Sequence, residues 1–174
     1  MNIIDKAMMY AIKCHSETNH LYNGEPYHIH LRMVYNEAVK YSYLVSEADR
    51  DNFLAAAWVH DVIEDCRQTY NDVLKATNKD VAELAYALTN EKGKSRKERA
   101  NDKYYDGINA CRYASLLKVC DRIANLKYSI QTKSRMADMY IKENEDFLNK
   151  IYVSGFVDAF NDLNVFCLTK SATD

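Results

Sequence analysis

The chain has 174 residues, enough for one domain with a buried core of its own. A hydrophobic content of 48% with 28% charged residues marks a globular protein, and only four Gly and one Pro leave few tight turns, which favours helices over a turn-rich β fold. The formal charge of −2 excludes bulk attraction to duplex nucleic acid or anionic membranes, so a phosphate-bearing ligand would have to be held by local cations or a metal ion.

No apolar run reaches the roughly 18 residues needed to cross a bilayer, and the start, Met1-Asn2-Ile3-Ile4-Asp5-Lys6, lacks the layout of a signal peptide. The expectation is a cytoplasmic protein with no membrane partner. Cys14, Cys66, Cys111, Cys120 and Cys167 are scattered without zinc-finger spacing and are expected as buried free thiols. Cys66 follows Asp65, whose charge raises rather than lowers a thiol pKa, so no chemistry is assigned to it.

The first predicted element is a helix: Ile3, Ile4, Ala7, Met8, Ala11, Ile12 and His15 form a stripe at three- and four-residue spacing that ends near Glu17. Residues 18–26 carry the Asn, Gly and Pro of a loop, and Pro26 holds its predecessor out of helical dihedrals. A second helix is expected from His28 to about Tyr43. Ser46 and Asp49 resemble a capping arrangement ahead of a third helix, marked by Phe53, Leu54, Ala57, Trp58 and Val62 and continuing to about Glu64.

Thr69 is a candidate cap for a short helix over 70–76, and Val81, Leu84, Ala85 and Leu88 mark another over 79–90. A polar run follows from Asn90 to Asp102. Between Cys111 and Ile130 apolar positions surround the helix more fully than a single stripe would, which predicts a central helix. Amphipathic stretches over 135–152 and 155–168 complete the chain, with Gly155 as the break between them. No alternating strand pattern occurs, so the expected architecture is all-α, with seven to nine helices in one compact domain spanning 1–174.

Three polar clusters interrupt the apolar pattern. The first, His60-Asp61-Val62-Ile63-Glu64-Asp65, closes the third helix, where His60 and Asp61 can both reach a metal at a helix end and Glu64 and Asp65 sit one turn on, within reach of a bound water. Burying such groups costs several kcal/mol unless they are paired or metal-bound, which argues for function. The alternative is a solvated helix end with a hydrogen-bonded core histidine.

The second cluster, Lys118-Val119-Cys120-Asp121-Arg122-Ile123-Ala124-Asn125-Leu126, puts Asp121 and Asn125 on one face of the most apolar helix, with Lys118 on nearly the same side. On its own, Asp121 reads more readily as a partner of Lys118 or Arg122 in a structural ion pair than as a ligand. The third is Gly24-Glu25-Pro26-Tyr27-His28-Ile29-His30, where two histidines two apart point in different directions, so at most one serves this site. One of these histidines with His60, Asp61 and Asp121 makes a mixed imidazole–carboxylate set, which suits Mn²⁺, Fe²⁺ or Zn²⁺ with positions left for water and a phosphate oxygen.

In order and spacing these three segments resemble the signatures of the RelA/SpoT-type HD-domain hydrolases, over about residues 5–130, and the chain length is similar to that of the small alarmone hydrolases of the metazoan SpoT-like group. The resemblance implies the HD-superfamily helical fold and chooses His30 over His28, giving a metal set of His30, His60, Asp61 and Asp121 that usually holds Mn²⁺. It implies that Glu64 and Asp65 position or activate the attacking water and that Asn125, with Lys118 nearby, contacts substrate. The reaction implied is hydrolysis of the 3′-diphosphate of guanosine tetra- or pentaphosphate, a small-molecule substrate.

The chain departs from that pattern in the first loop. The family usually carries an Arg there, against the base; residues 16–29 contain no Arg or Lys, and Leu31 replaces the usual Pro after the histidine. His20 and Tyr22 are the loop residues able to stack on a base instead. Lys92, Lys94, Arg96, Lys97, Arg99 and Lys103 read mainly as a solvated basic face, with one or two reaching phosphates. Alternative functions are another HD phosphohydrolase, such as a nucleotidase or an RNA 3′-pyrophosphatase, and a catalytically silent nucleotide-binding module.

Overall fold

A computed structural model describes residues 1–171; residues 172–174, which the single-domain reading includes, lie outside it. Helix α1 (Ile3–Glu17) starts where Asn2 accepts a hydrogen bond from the Asp5 amide and stops at Glu17, as its stripe predicts. Helix α2 (His28–Lys40) ends earlier than expected, because Ser42–Leu44 tighten into a 3₁₀ turn. Between α1 and α2 the predicted loop is a minimal hairpin, with β1 (Leu21–Tyr22) paired antiparallel to β2 (Glu25–Pro26). Asn23 and Gly24 both take positive φ, the geometry of a two-residue type I′ turn, for which Asn-Gly is the favoured pair.

The third predicted helix is divided. Helix α3 (Arg50–Val59) begins after Asp49, which makes no side-chain cap and instead accepts from the Ser46 hydroxyl. It stops at Val59, the chain turns through His60 and Asp61, and a short α4 (Val62–Asp65) restarts. In an unbroken helix successive side chains diverge by about 100°. The turn allows neighbouring His60 and Asp61 to point at one place.

Helix α5 (Tyr70–Ala76) carries the expected cap at Thr69, completed into a capping box by Asp72, and α6 (Lys79–Leu88) is capped by Asn78. The polar run contains α7 (Arg96–Arg99), and a helix not anticipated from the sequence, α8 (Asp102–Ala110), follows Asn101, which caps it. Only Tyr104 and Ile108 of α8 are buried, which is why its apolar signal is faint. Helices α9 (Ala114–Gln131), α10 (Met136–Ile151) and α11 (Val157–Ser171) end the described chain. The divided third helix, α7 and α8 raise the helix number above the expected seven to nine.

The fold is all-α apart from the hairpin. Helix α9 is central, packing on α2, α6, α8, α10 and α11, while α3 fills the space between α1, α2 and α6. Every α3 residue from Phe53 to Val59 is buried, so the turn carrying His60 is held rigidly against the core. Leu117 of α9 is fully buried, and Leu117→Ala is expected to cost about 2–5 kcal/mol, read as a lower urea midpoint at unchanged slope. Cys14, Cys66 and Cys120 are buried free thiols as expected and Cys167 is buried, whereas Cys111 is half-exposed. Among the described residues no helix is long and apolar enough to cross a membrane.

Candidate metal centre

Three elements deliver one cluster. His30 comes from the first turn of α2, His60 and Asp61 from the turn between α3 and α4, and Asp121 from the middle of α9. Ligand atoms of His30, His60 and Asp121 all lie within 4.8 Å of one another. His30 Nε2 is 3.3 Å from Asp121 Oδ1 and 3.4 Å from Asp61 Oδ2; His60 Nε2 is 3.8 Å and 3.0 Å from the same two oxygens. Ligands about 2.0–2.2 Å from a shared ion stand about 3.0–3.5 Å apart; three of these separations fall in that range and the fourth, 3.8 Å, is slightly longer. His28 takes no part in the cluster.

The protonation pattern fits a cation. His60 Nδ1 lies 3.0 Å from the Ala57 carbonyl, which can only accept, so Nδ1 carries the proton and Nε2 turns a lone pair inward. That Nε2 is buried and makes no hydrogen bond, the condition of a ligand atom. Burial opposes a charge on His30, but the carboxylates of Asp121 and Asp61 outweigh it and hold the imidazole up at about 9. His60 is raised in the same way against its burial, mainly by Asp61. The carboxyl of Asp61 is held well below the usual range, its burial outweighed by both imidazoles, and Asp121 is lowered by Lys118 and the imidazoles. In the metal-free protein a proton on His30 therefore puts positive charge between the two carboxylates, in the place of a cation.

A shell of polar partners orients these groups. Tyr27, three residues before His30, donates to Asp61 Oδ2 at 2.7 Å. Lys118 donates to Asp121 Oδ2 at 2.9 Å, and Asn125 Nδ2 donates to Asp121 Oδ1 at 2.6 Å. Asn125 Oδ1 in turn accepts from the Tyr22 hydroxyl at 2.8 Å. Lys118 and Asn125 thus lie at the cluster as expected, but both already face Asp121.

Glu64 and Asp65, expected as a pair serving the attacking water, are neighbours on α4 whose side chains meet different partners. Both Glu64 oxygens accept from Asn90, from its amide at 3.2 Å and its side-chain nitrogen at 3.0 Å, tying the start of the polar run to α4. Asp65 turns instead towards the first loop, with Oδ2 3.7 Å from His20 Nδ1. Burial, helped by the charges of Asp61 and Glu64, pushes its carboxyl up to about 7.

His20 and Tyr22 are folded into the site. The His20 ring stacks on Tyr27 at 4.1 Å and its Nδ1 lies 3.1 Å from His15 Nδ1, while Tyr22 stacks on His30 at 4.9 Å. His15, read from the sequence only as part of the apolar stripe, also stacks on Tyr27 at 4.3 Å, and burial lowers its pKa to about 4.

Beside Asp121 a cavity of about 100 Å³ opens, lined among others by Arg96, Arg99, Lys118, Arg122 and Tyr140. Of the six basic residues of the polar run, Arg96 and Arg99 line it; Lys103 pairs with Glu91 at 2.9 Å. Glu143 bridges Arg96 at 3.1 Å and Arg122 at 3.2 Å. Among the described residues Arg96, Lys118 and Arg122 thus share two carboxylates, Glu143 and Asp121, as their ion-pair partners, and Arg99 pairs with neither. Sequence reading missed Tyr140 and Glu143, because they come from α10, whose pattern reads as an ordinary amphipathic helix.

No protein-family model matches the chain. A probable guanosine-3′,5′-bis(diphosphate) 3′-pyrophosphohydrolase of Mycoplasma pneumoniae is 28% identical over 137 residues, covering 71% of this chain and 18% of that relative. The guanosine-3′,5′-bis(diphosphate) 3′-pyrophosphohydrolase MESH1 of Drosophila melanogaster is 31% identical over 77 residues, covering 44% of this chain and 43% of the relative. The chain therefore spans less than half the length of either. The solved structure of a metazoan ortholog of SpoT, which hydrolyzes ppGpp and plays a role in starvation responses, superposes with a TM-score of 0.75 at 20% identity, over 98% of this chain and 96% of that one. The chain has the all-α fold of that metazoan SpoT ortholog and is similar in sequence to guanosine-3′,5′-bis(diphosphate) 3′-pyrophosphohydrolases.

Proposed function

We propose that the chain is a metal-dependent phosphohydrolase, a single HD domain that removes the 3′-diphosphate from guanosine tetra- or pentaphosphate or a related 3′-pyrophosphorylated nucleotide. The observation that carries this reading is the convergence of His30, His60 and Asp121, with Asp61 Oδ2 within 3.0–3.4 Å of both imidazoles, beside a cavity with an excess of cations. Those four residues would hold the ion; the mixed nitrogen and oxygen set suits Mn²⁺. A divalent ion there supplies Lewis acidity towards a phosphoryl oxygen and lowers the pKa of water.

The protein's own groups do the rest. Asp65, with a carboxyl near neutral pKa, takes the proton from the attacking water. Glu64, through Asn90, holds the segment bearing Arg96 and Arg99 beside the centre. Arg96, Arg99, Lys118 and Arg122 meet the negative charge of the diphosphate, which one divalent ion cannot neutralise alone. With no cation in residues 16–29, recognition rests on the phosphates more than on the base.

The test is a screen of purified protein with Mn²⁺ against guanosine tetraphosphate, deoxynucleotides, 5′-monophosphates and 3′-pyrophosphorylated RNA. Release of pyrophosphate from the tetraphosphate is expected. Activity confined to 5′-monophosphates would reject the reading in favour of a nucleotidase, and tight nucleotide binding without turnover under any divalent ion would mark a silent binding module.

A further inference from the structure

The two histidines of the centre are held in different ways. The ring of His60 is fixed by a hydrogen bond from Nδ1 to the Ala57 carbonyl. The corresponding atom of His30, Nδ1, is buried with no hydrogen-bond partner. A ligating imidazole ordinarily has such a partner, which sets its tautomer and ring orientation. The orientation of His30 must therefore come from what packs against its ring.

That packing is aromatic. Tyr22 lies over His30 at 4.9 Å with planes 20° apart, and Tyr27 meets it edge-on at 5.4 Å and 67°. Tyr22 is also wedged against Tyr128 at 4.8 Å. Its backbone is held by the tight Asn23-Gly24 turn, and Asn23 Nδ2 donates to the Tyr128 hydroxyl at 3.2 Å, fastening the hairpin to α9.

The Tyr22 hydroxyl reaches the opposite ligand. It donates to Asn125 Oδ1, which leaves the Asn125 amide nitrogen directed at Asp121, with contacts to Oδ1 at 2.6 Å and to the backbone oxygen at 3.1 Å. With its oxygen turned to Tyr22 and its nitrogen to Asp121, Asn125 has one orientation that satisfies both contacts. One side chain thus braces a ligand from α2 by its ring and a ligand from α9 by its hydroxyl.

We propose that Tyr22 is a positioning residue for the metal centre, setting His30 by stacking and Asp121 through Asn125, and that it is not a platform for the substrate base. The inference rests on the metal reading of the preceding subsection. It replaces the expectation that Tyr22 would stack on a nucleotide, since its ring face is taken by His30. It also makes the hairpin a structural clip for the centre, which accounts for a tight two-residue turn where the sequence suggested an open loop.

The test is titration of the intact, metal-free chain with Mn²⁺ alone, read from the paramagnetic resonance signal of the free ion, for the parent, Tyr22→Phe and Tyr22→Leu. Melting of each metal-free protein is recorded alongside. Tyr22→Leu loses both contacts and is expected to bind Mn²⁺ about 10–100-fold more weakly, as for other groups that orient a ligand. Tyr22→Phe keeps the ring, loses the hydroxyl, and is expected to fall between Leu and the parent. Parental Mn²⁺ affinity in both folded variants, with any effect confined to KM, would overturn the proposal. If Tyr22→Leu fails to fold, Tyr22→Phe decides: several-fold weaker binding supports the role and parental binding rejects it. A parent that binds no Mn²⁺ overturns the metal reading itself, a result distinct from parent and variants that bind alike.

Discussion

Replacing His60, Asp61 or Asp121 by alanine is expected to remove bound metal and activity together. Each change deletes one of four convergent donors, and nothing nearby substitutes. Tyr27 and Lys118, the groups next to Asp61 and Asp121, are hydrogen-bond donors rather than ligands. Loss of either carboxylate also unbalances the centre, because both offset the charge held on His30. Removing one member of a buried charged set typically costs about 3–5 kcal/mol, so these variants should also melt at lower temperature. Elemental analysis beside turnover at saturating Mn²⁺ decides the matter. Full metal occupancy in all three variants would put the site elsewhere. Since ligation requires unprotonated imidazole, Mn²⁺ must displace the proton from His30, and affinity should rise with pH up to about 9.

The second large effect separates chemistry from metal binding. Asp65→Asn keeps the shape of the side chain but cannot take a proton, so kcat is expected to fall by about 10²–10⁴-fold with metal content near the parental level. The geometry assigns Glu64 a different task, so Glu64→Gln should have a smaller effect: one of its two contacts to Asn90 is lost, and the arginine-bearing segment loosens. Its signature should be a raised KM more than a lowered kcat. The two losses should fall on different parameters, KM for Glu64→Gln and kcat for Asp65→Asn, coupled only through the charge of Glu64 on the Asp65 carboxyl. Equal, non-additive losses in kcat from both single variants would instead show that Glu64 and Asp65 serve the same water. An Asp65→Asn variant that turns over at the parental rate would reject Asp65 as the proton acceptor.

Much of this was legible in the sequence because it is local. The boundary of α1 near Glu17, the Thr69 cap, the all-α class and the central α9 follow from periodicity and capping, which depend on residues within a few positions of one another. The cost of burying His60, Asp61 and Asp121 in apolar helices was visible in the same way, and the family resemblance singled out His30 from His28. Where local signals were weak, the reading failed: α8 buries only Tyr104 and Ile108, and Asn23-Gly24, a hairpin signal, is flanked by strands of two residues each.

What only the tertiary structure decided is which groups meet. Periodicity carried the third helix on to Glu64, but packing ends α3 at Val59, and that turn lets adjacent His60 and Asp61 face one point while sending Glu64 to Asn90 and Asp65 towards His20. The basic run reads as a solvated face because sequence carries no distance information. Only the packing of α9 and α10 against it brings Arg96 and Arg99 beside Asp121, with Glu143 as a shared counter-ion. Tyr22 was chosen for its type, an aromatic in a loop, yet its partners are 8 and 103 positions away in the chain. Contacts at such separations form only when the whole core closes, so they are properties of the fold and not of any segment.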